Sequence, residues 1–242
     1  MAASAADLDG ARPAAGDALL ARLEAVPFSR WHRRARLIVG SATFFDAFDA
    51  LAIAFVLPVL RPLWRLSDGE IGRLIAASYM GQVVGALVFS RLAERFGRIP
   101  CAAGAVALMS VMSFFCALSG DLSSLFLCRF VQGIGVGGEM PVAAAYIGEL
   151  SRAEGRGRYF LLYEMIFPLG LMAAGQAGRW LVPALGWQIM FLLGGVPGLV
   201  IALLLLRLPE SPRWLIARGR LGAAEAIIRS VEASRRDRVA VA

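Results

Sequence analysis

The chain contains no lysine, one histidine and three cysteines in 242 residues. The histidine, His32, and the cysteines Cys101, Cys116 and Cys128 show no metal-ligand spacing, which argues against a metal cluster. The cysteines lie in or beside apolar segments and read as small buried hydrophobes. His32 sits in a basic stretch and reads as solvated. The opening is not that of a secreted chain. Asp7, Asp9 and Asp17 replace the basic start of a signal peptide, and no apolar core follows within residues 1–28. No nucleophile–base pair or soluble catalytic domain is visible, so neither an enzyme nor a cofactor is expected. Above all, charge is missing from most of the middle of the chain.

What fills the gap is apolar. Hydrophobic residues make up 58% of the chain, against about 45–50% in an ordinary soluble domain. Between Arg36 and Arg213 they fall into six segments, near 37–60, 71–92, 99–118, 123–147, 159–182 and 187–206. Each holds about 20–25 residues, enough to cross a hydrocarbon layer about 30 Å thick. Only helices satisfy their own backbone groups there, so the pattern predicts an all-α membrane protein with six spans. Residues 1–35 read as a cytoplasmic tail with a short amphipathic turn or two near Leu19–Leu23. Residues 36–208 read as the six-helix bundle. Residues 209–242 read as a cytoplasmic segment with a short amphipathic helix, and no seventh span follows.

The net charge is +7. A strongly basic balance can signal nucleic acid, but these arginines cluster at the ends of the apolar runs, so no nucleic-acid partner is expected. Arg30, Arg33, Arg34 and Arg36 precede the first span, and Arg91, Arg95 and Arg98 follow the second. Arg152, Arg156 and Arg158 follow the fourth, and Arg207, Arg213, Arg218 and Arg220 follow the sixth. The opposite ends carry fewer. The positive-inside rule then puts both termini in the cytoplasm, with the plasma (inner) membrane as the location. Trp64, Trp180 and Trp187 mark the outer interface.

Several charges remain inside spans: Asp46 and Asp49 in the first, Arg129 and Glu139 in the fourth, Glu164 in the fifth. Each costs roughly 2.5–3.5 kcal/mol at the centre of a spanning helix. Together they point to a ligand or proton pathway. Rise along the helices puts Asp49 roughly 18 Å and Arg129 roughly 21 Å from the inner side, so the two can pair. Asp46 lies one turn nearer the cytoplasm on nearly the same face. A buried carboxylate beside an arginine can trade its proton when a substrate arrives. Gly81/Gly85 and Gly133/Gly137 are small-xxx-small pairs suited to close helix packing. The run from Gly133 to Gly138 also fits a dinucleotide fingerprint, but it lies inside an apolar span with no strand before it. Pro58, Pro141, Pro168 and Pro197 are candidate kinks.

Four stretches in order carry a resemblance. Ser90-Arg-Leu-Ala-Glu-Arg95-Phe-Gly97-Arg98 resembles the signature between helices two and three of the major facilitator superfamily, with Ser90 and Glu94 in place of its usual Gly and Asp. Arg129-Phe-Val-Gln132-Gly133-Ile-Gly135-Val-Gly137 resembles helix four of the sugar-porter and metabolite:proton symporter branches, and Tyr146 to Arg158 fits as well. Pro209 to Leu215 is similar to their stretch after helix six. Asp46-Ala-Phe-Asp49 resembles a helix-one motif of the same branches. The resemblance implies two inverted three-helix repeats, half of a twelve-helix major facilitator fold working by alternating access. It implies a secondary transporter that couples protons to a small organic metabolite, an organic or aromatic acid among the candidates. Asp49 then resembles the proton-linked acid and Arg129 its partner, with Asp46, Gln132, Glu139 and Glu164 along the same pathway. Glu94, Arg95, Gly97, Arg98, Glu149 and Arg156 resemble the cytoplasmic gate. The partners implied are substrate, protons, the bilayer, and a second six-helix half or a second copy. The alternative is a truncated half-carrier that does not transport and acts only as a membrane partner.

Overall fold

The computed structural model describes residues 5–152 and 154–239, so the outermost parts of the two terminal segments, 1–4 and 240–242, lie outside the described residues. Ten helices follow in order: α1 (Ala5–Ala25), α2 (Arg30–Leu63), α3 (Asp68–Phe96), α4 (Arg98–Leu118), α5 (Leu122–Leu150), α6 (Arg156–Glu164), α7 (Ile166–Leu185), α8 (Gln188–Leu205), α9 (Pro212–Ala217) and α10 (Leu221–Val239). Among the described residues, five stretches are long and apolar enough to cross a membrane: α2, α3, α4, the α6–α7 pair and α8. Helix α5 matches α3 in length, but Arg129, Gln132 and Glu139 dilute its apolar character. It is nonetheless the sixth member of the bundle, packed between α3 and α4.

The packing has an internal symmetry. Helix α2 packs on α7 as α5 packs on α3. Helix α2 meets α8 as α5 meets α4, and α4 packs on α8. Exchanging α2–α3–α4 with α5–(α6/α7)–α8 reproduces the pattern, which is the two-repeat arrangement. The α3–α5 seam is held close by glycine. A Cβ on Gly81 would overlap the carbonyl oxygen of Phe130, and one on Gly133 would overlap that of Ser78. Backbones can approach this closely only where no side chain intervenes.

Large apolar side chains point outward along the spans, among them Val83 and Leu87 on α3 and Val200 and Leu203 on α8. In a membrane this is the lipid-facing side rather than a fault. Inside, the apolar core is split. One cluster gathers Ala35, Val39, Val106, Val142, Tyr146 and Leu205. The other gathers Phe48, Val56, Leu125, Phe191 and Met190. Thr43 and Asp46 on α2, and Arg129 and Gln132 on α5, are buried between the two in sequence order, with Asp49 and Glu139 close beside them.

Two expectations, on His32 and on the N-terminal tail, need correction, and the candidate kink at Pro168 takes the form of a break. His32 is not solvated: it is 2% exposed. The chain enters helix seven residues before the apolar run, and Ser29 N–H donates to His32 Nδ1 at 3.3 Å across that first turn. Phe28 and Trp31 then pack edge-on to the imidazole. The fifth span is two helices broken at Met165, because Pro168 lacks the N–H that would bond Glu164 and its ring crowds that carbonyl. The N-terminal tail forms a 21-residue helix rather than a turn or two. Leu19 and Leu23 of α1 pack on Trp214 and Leu215 of α9 and on Ala224 and Ile228 of α10.

Candidate functional site

The site is built on α2 and α5, whose inward faces carry acids where the apolar core is interrupted. Arg129 Nη1 lies 3.1 Å from Asp49 Oδ2, and both side chains are 2% exposed. Gln132 Nε2 donates to Asp49 Oδ1 at 2.7 Å, and its own Oε1 accepts from Arg129 Nη1 at 2.8 Å. Ser113 of α4 donates to Asp49 Oδ1 at 3.1 Å and lies 3.0 Å from the Phe191 carbonyl oxygen of α8. The guanidinium also sits over the Phe191 ring, 5.8 Å from its centroid. Four of the six spanning helices thus meet at one carboxylate. Asp49, Arg129 and Gln132 form a closed triangle in which each side chain bonds the other two.

One turn away the environment differs. Asp46 is buried beside Glu139 of α5. Among the described residues neither Asp46 oxygen has a hydrogen-bond donor other than the neighbouring Glu139 carboxyl, and Glu139 Oε2 has none outside this acid pair. Glu139 Oε1 accepts from Thr43 at 3.1 Å, and Thr43 Oγ1 lies 2.7 Å from the Tyr163 hydroxyl. With Tyr163 donating to Thr43 and Thr43 to Glu139, the chain of hydrogen bonds is satisfied and ends at an acid pair. Glu164 is exposed at the end of α6 and is not bonded into this cluster.

The candidate gate residues separate into two groups. Arg98 reaches Glu149 through Nε at 3.1 Å and Nη2 at 2.9 Å. Glu94 takes part through its backbone, its carbonyl accepting from Trp214 Nε1 at 2.9 Å and from Arg218. Arg95 is exposed and lies over the Phe96 ring, while Arg156 donates to the Ser151 carbonyl. Gly97 is the hinge between α3 and α4, with φ of 112°. That angle suits glycine, and a Cβ there would overlap the Glu210 carboxylate.

Glu210 was not singled out by sequence, yet it organises this end. Its two oxygens accept the first backbone N–H groups of α4, from Arg98 at 3.0 Å and Ile99 at 3.2 Å, and that of Ser211 at 2.8 Å. Burial pushes the Glu210 carboxyl above the ordinary glutamate value, and the three amides hold it back. Arg213 ties α9 to the same corner, donating to the Glu149 carbonyl at 3.0 Å and to Glu24 of α1 at 2.8 Å. Both residues lie in the Pro209–Leu215 stretch, so the signal was present as a motif without a role. Ser113, Thr43 and Tyr163 gave no such signal, being ordinary polar residues in apolar runs. Among the described residues no group of three or more His, Cys, Asp or Glu gathers as a metal site.

Residues 30–242 match the family described as sugar (and other) transporter. The chain belongs to that family. It is therefore a member of the major facilitator superfamily, aligned with the first half of its fold. The chain is 34% identical over 214 residues to the niacin transporter NiaP of Acinetobacter baylyi, covering 88% of this chain and 49% of that one. It is 34% identical over 195 residues to the 4-hydroxybenzoate transporter PcaK of the same organism, covering 80% and 43%. The solved proton:xylose symporter XylE superimposes with a TM-score of 0.75 at 23% identity, over 83% of this chain and 50% of that one. The chain spans about half the length of the curated relatives it matches.

Proposed function

We propose that this chain forms one six-helix half of a proton-coupled carrier for a small organic acid, with Asp49 as the coupling acid. The observation that supports this most is the closed Asp49–Arg129–Gln132 triangle, buried where four helices meet. Removing one partner of a buried ion pair costs about 3–5 kcal/mol. A carboxylate that loses Arg129 as the helices rock is therefore under strong pressure to take up a proton. The pair lies within a single half, so the switch does not wait on a second half to be assembled. The relatives named above are described as niacin and 4-hydroxybenzoate transporters, and both compounds are aromatic carboxylic acids. That shared chemistry supports an anionic aromatic substrate.

In this reading Asp46, Glu139, Thr43 and Tyr163 form a second polar layer on the cytoplasmic side of the pair, and Glu164 faces the substrate path. The Arg98–Glu149 bridge, Glu210 and Arg213 hold the cytoplasmic ends of α3, α4, α5 and α9 together as the inner gate. Glu94, Arg95 and Arg156 keep exposed side chains for a facing half. Both termini are cytoplasmic and the membrane is the inner, plasma membrane. The test is uptake of labelled nicotinate and 4-hydroxybenzoate by cells making this half within a complete carrier, with and without a protonophore. Accumulation that collapses with the proton gradient is expected. Uptake indifferent to the protonophore would remove the coupling role, and uptake of sugars alone would remove the substrate class.

A further inference from the structure

A cavity of about 450 Å³ opens between the start of α2 and the turn joining α5 to α6. Four arginines line it: Arg33 and Arg36 from α2, Arg152 and Arg158 from the two sides of the turn. One acid, Glu154, also lines it and is bonded to Arg152. Among the described residues, neither Arg33 nor Arg158 has an acidic partner. The floor is aromatic. Phe28 stacks on Tyr159 at 4.6 Å between centroids, and Arg36 lies over the same ring at 5.0 Å. The cavity is about 20 Å from Asp49 along α2 at 1.5 Å per residue, so it is separate from the coupling pair.

Its depth is informative. The apolar run of α2 begins at Leu37, one residue after Arg36, and that of the fifth span begins at Tyr159, one residue after Arg158. The arginines therefore sit at the level of lipid headgroups. Leu162 lines the cavity and is 48% exposed. It begins an outward stripe at helical spacing, Leu162, Met165, Leu169 and Met172. Cationic above and apolar below, the surface has the polarity of a phospholipid. Guanidinium groups pair with phosphate bidentately, and basic pockets between helices on the cytoplasmic side suit acidic headgroups.

We propose that this pocket binds the headgroup phosphate of an anionic phospholipid, which then bridges the two three-helix repeats at their arginine-rich end. The cytoplasmic orientation proposed above decides only which leaflet supplies the lipid. The purified chain, reconstituted in discs of equal phosphatidylglycerol and phosphatidylcholine and then released, is read by native mass spectrometry for retained lipid. Phosphatidylglycerol should be retained over phosphatidylcholine. The pair Arg33→Gln with Arg158→Gln should lower that retention about thirtyfold, on the contribution of two arginines at a charged surface. Arg30→Gln with Arg34→Gln removes the same charge outside the cavity and should change retention little. Arg33→Lys with Arg158→Lys should fold and keep most of it.

On the unaltered chain in neutral detergent, short-chain phosphatidylglycerol should raise the melting temperature. Short-chain phosphatidylcholine and glycerol phosphate should not. Equal loss from both glutamine pairs would reduce the effect to general surface charge and overturn the site. Stabilisation by glycerol phosphate or inorganic phosphate would make it a site for a soluble anion, and stabilisation by nicotinate would assign it to substrate. Either result overturns the lipid assignment.

Discussion

Asp46 and Asp49 stand one turn apart on α2, both buried, in opposite surroundings. Asp49 is bonded to Arg129, Gln132 and Ser113. Asp46 has no cation and, among the described residues, no donor other than the acid it faces, Glu139. A buried charge that is paired and hydrogen-bonded can be held, whereas one without partners is expensive. The fold thus holds a completed charge pair next to an acid pair with no cation. The contrast separates a carboxylate whose charge is held by a cation from an acid pair that shares no cation. The comparison also ranks the two acids by what their loss should do.

The largest effect should come from Arg129→Ala, which leaves Asp49 buried and unpaired. Unfolding in a fixed lipid mixture should show a loss of about 3–5 kcal/mol. Arg91→Ala on the exposed face should change stability by less than about 0.5 kcal/mol. Equal losses from the two would erase the distinction between a held and a solvated charge. Next in size is the gate corner. Glu210→Ala should cost about 1 kcal/mol, the usual worth of a carboxyl that caps a helix start, and should speed hydrogen exchange at Arg98 and Ile99. Unchanged exchange there would mean that α4 does not depend on this cap.

Asp46→Asn should be milder still, within about 1 kcal/mol and in the stabilising direction if the new amide donates to Glu139. A loss as large as that from Arg129→Ala would show that Asp46 has a partner as strong as Asp49's. The smallest effect lies outside the bundle. A hydrogen bond from Arg213, aided by its charge, holds the exposed Glu24 carboxyl below its ordinary value of 4.5. Its contribution to docking α1 is therefore present above that value and is lost as the pH falls through the lowered one. Limited proteolysis should release α1 more readily as the pH falls through that lowered value, and Glu24→Gln should flatten that dependence.

Much of this was legible in the residues. Charges inside apolar runs are rare enough to mark the site, and rise per residue placed Asp49 and Arg129 at matching depth. The acid pair was not legible in this way. Asp46 is three residues from Asp49, but Glu139 is ten from Arg129. The two helices thus differ by about 10 Å of rise, and only their crossing and the reach of the side chains bring the acids together. The burial of His32 depends on a cap, on the neighbouring rings of Phe28 and Trp31 and on the distant ring of Tyr159, which a basic local context hides. The α1–α9–α10 cluster joins the two ends of the chain, so no local pattern announces it. Arg95 and Arg156 match a motif by type and spacing, yet motif position does not say which side chains find partners within one half.

The measurement that bears most directly on the switch is accumulation beside counterflow for Asp49→Asn in a complete carrier containing this half. The substitution keeps the shape and one acceptor oxygen while removing the titrating group. Uphill uptake driven by an imposed pH gradient should vanish, and exchange of labelled for unlabelled substrate without a gradient should persist. Accumulation that still follows the proton gradient would contradict the account, leaving Asp49 structural and moving the coupling to Glu139 or Glu164.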